Sequence, residues 1–202
     1  MIDSTLRRAK DTVYRPFARE AGRYLSPLTI TAAGGIVGLG AAVAGWQGSM
    51  VLGLLLWWAN RALDGLDGSV ARATGRQSVF GGYVDQLVDF AMYAVIPIGL
   101  TLRAPSLELF LALAFLLGTF YINAGAFLYL SSILEQRNSG ARQRGDLTTV
   151  HMPRGIIEGF EAIVFYSLFF LFPGQLQTLF VVLGALVLVT AARHLVWASR
   201  NL

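Results

Sequence analysis

Four aspartates carry the chemistry that this sequence can offer. Asp64 and Asp67 are three residues apart, and Asp85 and Asp89 are four apart. On a helix each pair shares one face, separated along the axis by about 4.5 and 6 Å. If the two helices pack side by side, the four carboxylates converge. Converging carboxylates in a low dielectric repel one another unless protons or cations neutralise them. No histidine lies near them and the chain has no cysteine. An all-oxygen donor set suits a hard cation, magnesium or manganese, better than zinc. Four carboxylates suffice for two such ions, and a two-metal site suits displacement at phosphorus. The same groups would also serve a small cation or proton transporter, or pair with arginines. Spacing alone leaves these readings open.

The elements that must position these aspartates are membrane helices. Hydrophobic residues make up 55% of the 202-residue chain and charged residues 14%, for a net charge of +4. A soluble domain averages about 25% charged residues. Three stretches carry no charge at all: Tyr24 to Asn60, Leu109 to Leu134 and Ala162 to Ala192. One bilayer crossing takes about 20 apolar residues. The first stretch therefore holds two crossings, with a turn near Gly45, Trp46, Gln47 and Gly48. The second holds one. The third holds two, parted at Pro173 and Gly174. A further crossing runs from about Val79 to Leu102 and carries Asp85 and Asp89, an expensive placement that marks a functional site. The expected fold is an all-α membrane protein with six transmembrane helices.

An N-terminal amphipathic helix should precede them. Ile2, Leu6, Ala9, Val13 and Phe17 recur at helical spacing, with Arg7, Arg8, Lys10, Arg15, Arg19 and Arg23 between them. That pattern fits a helix lying on an anionic membrane surface, bent or broken at Pro16. The expected organisation is a juxtamembrane helix over 1–25 and one transmembrane domain over 26–202. With six crossings, all of the 16 Lys and Arg except Arg103 fall on one face. By the positive-inside rule that face is cytoplasmic and holds both termini and the aspartates. Topology thus explains the basic charge, and no nucleic-acid partner is expected.

The residues around the aspartates narrow the chemistry. The chain reads Asp64, Asp67-Gly68, Ala71-Arg72, then after eight residues Gly81, Asp85 and Asp89. This is similar to the signature of the CDP-alcohol phosphotransferase family, D-x2-D-G-x2-A-R-x8-G-x3-D-x3-D, with every fixed position matched. So specific a pattern outweighs a lone glycine motif. Six crossings behind a surface helix also resemble that family, so the likeness spans the chain.

The resemblance implies an enzyme of phospholipid synthesis. A CDP-linked lipid, usually CDP-diacylglycerol, would be the donor. The hydroxyl of a polar alcohol would attack the β-phosphorus, releasing CMP. Glycerol 3-phosphate, an inositol phosphate, serine, another amino alcohol and a lipid hydroxyl are all candidate acceptors. By position, Asp64, Asp67, Asp85 and Asp89 would hold two Mg2+ or Mn2+ ions, and Asp89 would also be the general base. Gly68 and Ala71 would leave room for the cytidine, and Arg72 would contact the nucleotide phosphates. The resemblance further implies a homodimer in the inner membrane, with the site facing the cytoplasm. A catalytically silent partner subunit is disfavoured because no motif position is missing.

Other residues have two readings each. Many family members carry Pro-Asn-x-x-Thr at the first crossing. Here the run is Ser26-Pro27-Leu28-Thr29-Ile30-Thr31, without the asparagine, and a helix start with Pro27 in its first turn explains it as well. Ser78 would either meet phosphate or cap the third helix. Asn60 and Arg61, one turn before Asp64, are weaker site candidates. Arg137, Arg142, Arg144 and Arg154 are positive-inside charge or a site for an anionic acceptor. Glu158 and Glu161 would pair with Arg154 or with a cationic acceptor. Arg193 and His194 are expected to snorkel to the interface, and His151 has no assigned role. The tryptophans and phenylalanines are expected to anchor the interface and face lipid.

Overall fold

The computed structural model describes Tyr14, residues 17–137 and residues 155–202. The described residues are helical, with no strand, and contain six α-helices and one 3-10 turn beyond the N-terminal stretch. They are α1 (Pro27–Trp46), α2 (Met50–Thr74), α3 (Val79–Arg103), α4 (Leu107–Gln136), α5 (Gly159–Leu171) and α6 (Leu176–Asn201). Residues 17–24 are also helical. Most of the expected surface helix, including Ile2, Leu6, Ala9, Val13 and Pro16, lies outside the described residues. So do Arg142, Arg144, His151 and Arg154.

Among the described residues, four stretches are long and apolar enough to cross a membrane: α1, α3, α4 and Pro173–Asn201. The protein is therefore an all-helical membrane protein. α2 carries Arg61, Asp64, Asp67 and Arg72 in its second half, which dilutes its apolar character. α5 has 13 described residues, too few for one crossing by itself.

The ends of the helices follow from local chemistry. Ser26 caps α1 by accepting from the Thr29 amide at 3.1 Å, with Pro27 in the first turn. Ser78 caps α3 by accepting from the Gly81 amide at 2.9 Å. Ser106 caps α4 in the same way, at 3.1 Å to Leu109 N. α2 ends on Gly75, whose φ of +66° is a left-handed conformation that glycine adopts without strain. The α1–α2 turn and the break at Pro173 fall where the sequence placed them.

The chain forms two compact units. The first comprises residues up to Pro105 together with Tyr166–Gly174. In it, α1 packs against both α2 and α3, whereas α2 and α3 touch each other far less. Small residues allow this approach. A Cβ on Gly99 of α3 would run into the Ala42 carbonyl of α1, and one on Gly38 of α1 into Met92 of α3. Ala18 packs with Ile30 and Val70, so the N-terminal helical stretch rests on α1 and α2.

The second unit comprises Ser106–Phe165 and Gln175–Leu202. α4 and α6 form its core, with Gly184 against Phe115 and Thr119. His194 is buried there at 5% exposure rather than reaching the interface. Thr190 Oγ1 accepts from the amides of Ile156 and Ile157 at 3.1 and 3.0 Å, fixing the entry to α5. The Glu161 carboxylate accepts from the Glu158 amide at 3.1 Å. Glu161 thus reaches back over the first turn of α5, as in a capping box.

Candidate active site

The motif aspartates sit on the second half of α2 and the first half of α3. A short turn, Gly75 to Ser78, joins the helices. Register then decides which aspartates meet. Asp64 lies ten residues before the end of α2 and Asp89 ten after the start of α3, each about 15 Å from the turn. Asp67 and Asp85 lie seven and six residues from it, each about 10 Å. Arg61 of α2 links the two aspartates farther from the turn: it is bonded to Asp89 of α3 at 2.8 Å and stands 4.0 Å from Asp64 of its own helix.

Arg61 thus brings one aspartate of each helix to the same guanidinium. Among the described residues, no three acidic or histidine side chains stand ready to hold a metal ion. Two adjoining carboxylates cannot both carry full charge there without a cation or proton. The donor set consists of oxygen atoms alone, and it suits a hard divalent cation.

Asp67 and Asp89 are held from different sides. Asp67 is buried at 5% exposure and takes a 2.5 Å hydrogen bond from the Thr31 hydroxyl of α1. Thr31 itself is 6% exposed, and its Oγ1 is also 3.1 Å from Pro27 O. By contrast, Thr29 meets only the exposed Ser26 hydroxyl, at 2.8 Å. On the other side, Arg61 is bonded to Asp89 at 2.8 Å and approaches Asp64 Oδ2 at 4.0 Å. Arg61 Nε donates to Asn60 Oδ1 at 2.9 Å, and Asn60 Nδ2 donates to Gly34 O of α1 at 2.8 Å.

Below Arg61 lies an aromatic floor. Its guanidinium carbon is 4.7 Å from the Trp57 ring centre and 5.7 Å from that of Tyr93. Trp57 stacks on Tyr166 at 5.1 Å, and the Tyr166 hydroxyl donates to Tyr93 O at 2.6 Å. Trp57 is wholly buried, unlike the exposed Trp46 and Trp58, so one tryptophan supports the site instead of anchoring an interface.

The remaining motif residues lie nearer the turn. Gly68 is where the Arg72 side chain folds back: a Cβ there would stand 3.2 Å from Arg72 Nη1. Arg72 also donates to Ser69 Oγ at 3.3 Å. Ala71 is half-buried one turn on. Ser78 Oγ is engaged at the head of α3 as an amide acceptor. Thr31, Asn60 and Arg61 make the contacts that spacing within one helix does not predict. Their one signal was polarity within apolar or charge-poor helix, one turn or less from a motif residue or a helix start.

Comparison with known proteins accords with this geometry. A family model described as CDP-alcohol phosphatidyltransferase matches residues 24–197. The chain is 31% identical to an inner membrane protein, YnjF, of Escherichia coli K12 over 168 residues, 82% of this chain and 77% of that one. It is 33% identical over 97 residues to an archaetidylinositol phosphate synthase of Methanothermobacter thermautotrophicus, covering 44% of this chain and 48% of that one. In fold it is similar to a phosphatidylinositol phosphate synthase of Mycobacterium tuberculosis crystallised with CDP-DAG bound. The TM-score is 0.70 at 20% identity, over 91% of this chain and 92% of that one. The same enzyme crystallised with manganese and citrate matches with a TM-score of 0.70, again at 20% identity, over 90% and 87% of the two chains.

Proposed function

Since the chain belongs to the CDP-alcohol phosphatidyltransferase family of phospholipid-synthesising membrane enzymes, we propose that it moves a phosphatidyl group from CDP-diacylglycerol to the hydroxyl of a polar alcohol. The observation that carries this reading is the meeting of motif aspartates from both helices at Arg61, Asp89 of α3 at 2.8 Å and Asp64 of α2 at 4.0 Å. An inositol phosphate is the first acceptor to test, because the similar proteins with named products are inositol phosphate lipid synthases.

In this reading Asp64, Asp67, Asp85 and Asp89 would hold Mg2+ or Mn2+, two ions in all. Such ions would offset charge on the diphosphate and make CMP a better leaving group. Asp89 takes the proton from the acceptor hydroxyl as its oxygen bonds to the β-phosphorus. The bond from that phosphorus to the bridging oxygen breaks, and CMP leaves with the electron pair. Arg72 meets the phosphates with a planar fork of donors. Gly68 and Ala71 keep the α2 surface low where the nucleotide lies. Ser78 adds a hydroxyl at the start of α3. The same reading places six crossings in the inner membrane, a surface helix before them, the site toward the cytoplasm, and a homodimer. In its favour, α2 has 25 residues and spans about 37 Å, enough to cross despite its charges.

The test is direct. Purified protein is given labelled CDP-diacylglycerol, Mg2+ or Mn2+, and a panel of acceptors, and the lipid product is identified by mass. Acceptor-dependent CMP release that stops with chelator supports the reading. No CMP release with any acceptor, and no CMP exchange, would refute it and favour cation or proton transport.

A further inference from the structure

We infer that Arg61 is a positioning residue for the reacting end of the site, a fixed internal cation that sets the direction of Asp89. The inference rests on the proposed role of Asp89, and it concerns a residue outside the family signature.

Arg61 lies three residues before Asp64, so it shares that face of α2. It is 7% exposed. A buried guanidinium is costly unless its donors are met. Here they are met by a relay that crosses three helices. Gly34 of α1 fixes Asn60, Asn60 fixes Arg61 Nε, and Arg61 Nη2 fixes Asp89 Oδ1 of α3. Trp57 and Tyr93 hold the plane of the guanidinium from the apolar side. With one oxygen committed to Arg61, the Asp89 carboxylate has a set rotation, so its other oxygen is presented in one direction. Arg61 also stands 4.0 Å from Asp64, so it screens the repulsion within the Asp64–Asp89 pair.

Only arginine fits this place. Its fork donates to Asn60 and Asp89 at once from a rigid plane, whereas a lysine ammonium brings charge without the second fixed direction. A misplacement of about 1 Å in a reacting group costs about 100-fold in rate. The expected effect of Arg61→Gln is therefore a fall in kcat of about 100-fold at saturating Mn2+, with KM for CDP-diacylglycerol little changed.

A double-mutant cycle decides whether Arg61 acts through Asp89. The single variants Arg61→Gln and Asp89→Asn are compared with the double variant for CMP release, with Mn2+ binding followed by electron paramagnetic resonance. If Arg61 works by aiming Asp89, adding Arg61→Gln to Asp89→Asn costs little further rate. An equal loss in both backgrounds, at Mn2+ concentrations that saturate each variant by electron paramagnetic resonance, would overturn the inference and make Arg61 a packing residue. Parent turnover in Asp89→Asn would instead sink the role of Asp89 itself. Arg61→Lys keeps the buried charge and covers the case in which Arg61→Gln does not fold. It should lose about tenfold in kcat at unchanged KM, and parent kcat in Arg61→Lys would also refute the inference.

Discussion

Replacing Thr31 by valine tests whether a helix with no acidic residue helps build the metal end of the site. Valine keeps the shape and removes the hydroxyl. Asp67 then loses a 2.5 Å partner in a place where both residues are almost fully buried. A hydrogen bond to a charged group contributes about 1.5–3 kcal/mol, and a buried carboxylate left short of donors bears its desolvation cost. At about 1.4 kcal/mol per tenfold, that is about 10- to 150-fold in an equilibrium that depends on Asp67. A separate route gives a similar size: residues that orient a metal ligand cost about 10- to 100-fold in metal affinity when removed. The assay is CMP release titrated with Mn2+ at saturating CDP-diacylglycerol. Thr31→Val should shift the Mn2+ midpoint upward by about tenfold or more, and Thr31→Ser should return most of it. Thr29→Val is the control, since Thr29 meets only an exposed hydroxyl. If Thr31→Val titrates like the parent, or if Thr29→Val shifts as far, Asp67 is not a ligand oriented by Thr31.

Asp89→Asn should leave a folded protein that binds CDP-diacylglycerol but turns over at least about 100-fold more slowly. In Asp64→Asn the Mn2+ dependence should weaken along with the rate, checked by the same titration. Gly99→Ala pushes a methyl into the Ala42 carbonyl; overpacking of this kind costs about 1–3 kcal/mol and should lower the melting temperature in detergent. Gly118→Ala, where nothing lies within 4 Å of the added methyl, should not. Glu161→Gln keeps an acceptor for the Glu158 amide and should retain stability and activity. A loss of turnover with one acceptor alone would give Glu161 a part in acceptor binding.

What could be read from the sequence lies within single helices, where periodicity and caps act locally. Pro27 and Ser78 mark helix starts, Pro173 and Gly174 mark a break, and the motif spacing puts Asp64 with Asp67 and Asp85 with Asp89 on common faces. Contacts between helices were not legible in that way. Thr31 and Asp67 are 36 residues apart, and nothing in either neighbourhood names the other. Arg61 stood only as a weaker site candidate until α3 brought Asp89 to it. Trp57 resembled an interface anchor because composition does not say which side of α2 faces Tyr93 and Tyr166. His194 follows the same rule: its position near the end of α6 suggested snorkelling, whereas packing within the second unit buries it.

The family signature runs from α2 to α3, but the distance between its halves is governed by α1. The turn at Gly75 fixes the two helices only at one end. Ten residues away, at Asp64 and Asp89, a small change in splay would part the carboxylates by several ångströms. α1 prevents this by binding both sides. Thr31 holds Asp67 on α2, and the Gly34 carbonyl begins the relay through Asn60 and Arg61 to Asp89 on α3. Gly38 and Gly99 keep α1 close enough for both contacts. It follows that a bulky residue at Gly38, such as Gly38→Leu, should reduce turnover more than any aspartate-sparing change in the Gly75–Ser78 turn. The two alterations would be compared by CMP release in variants that still fold. A turn variant as damaging as Gly38→Leu would show that the connection, rather than α1, sets the site.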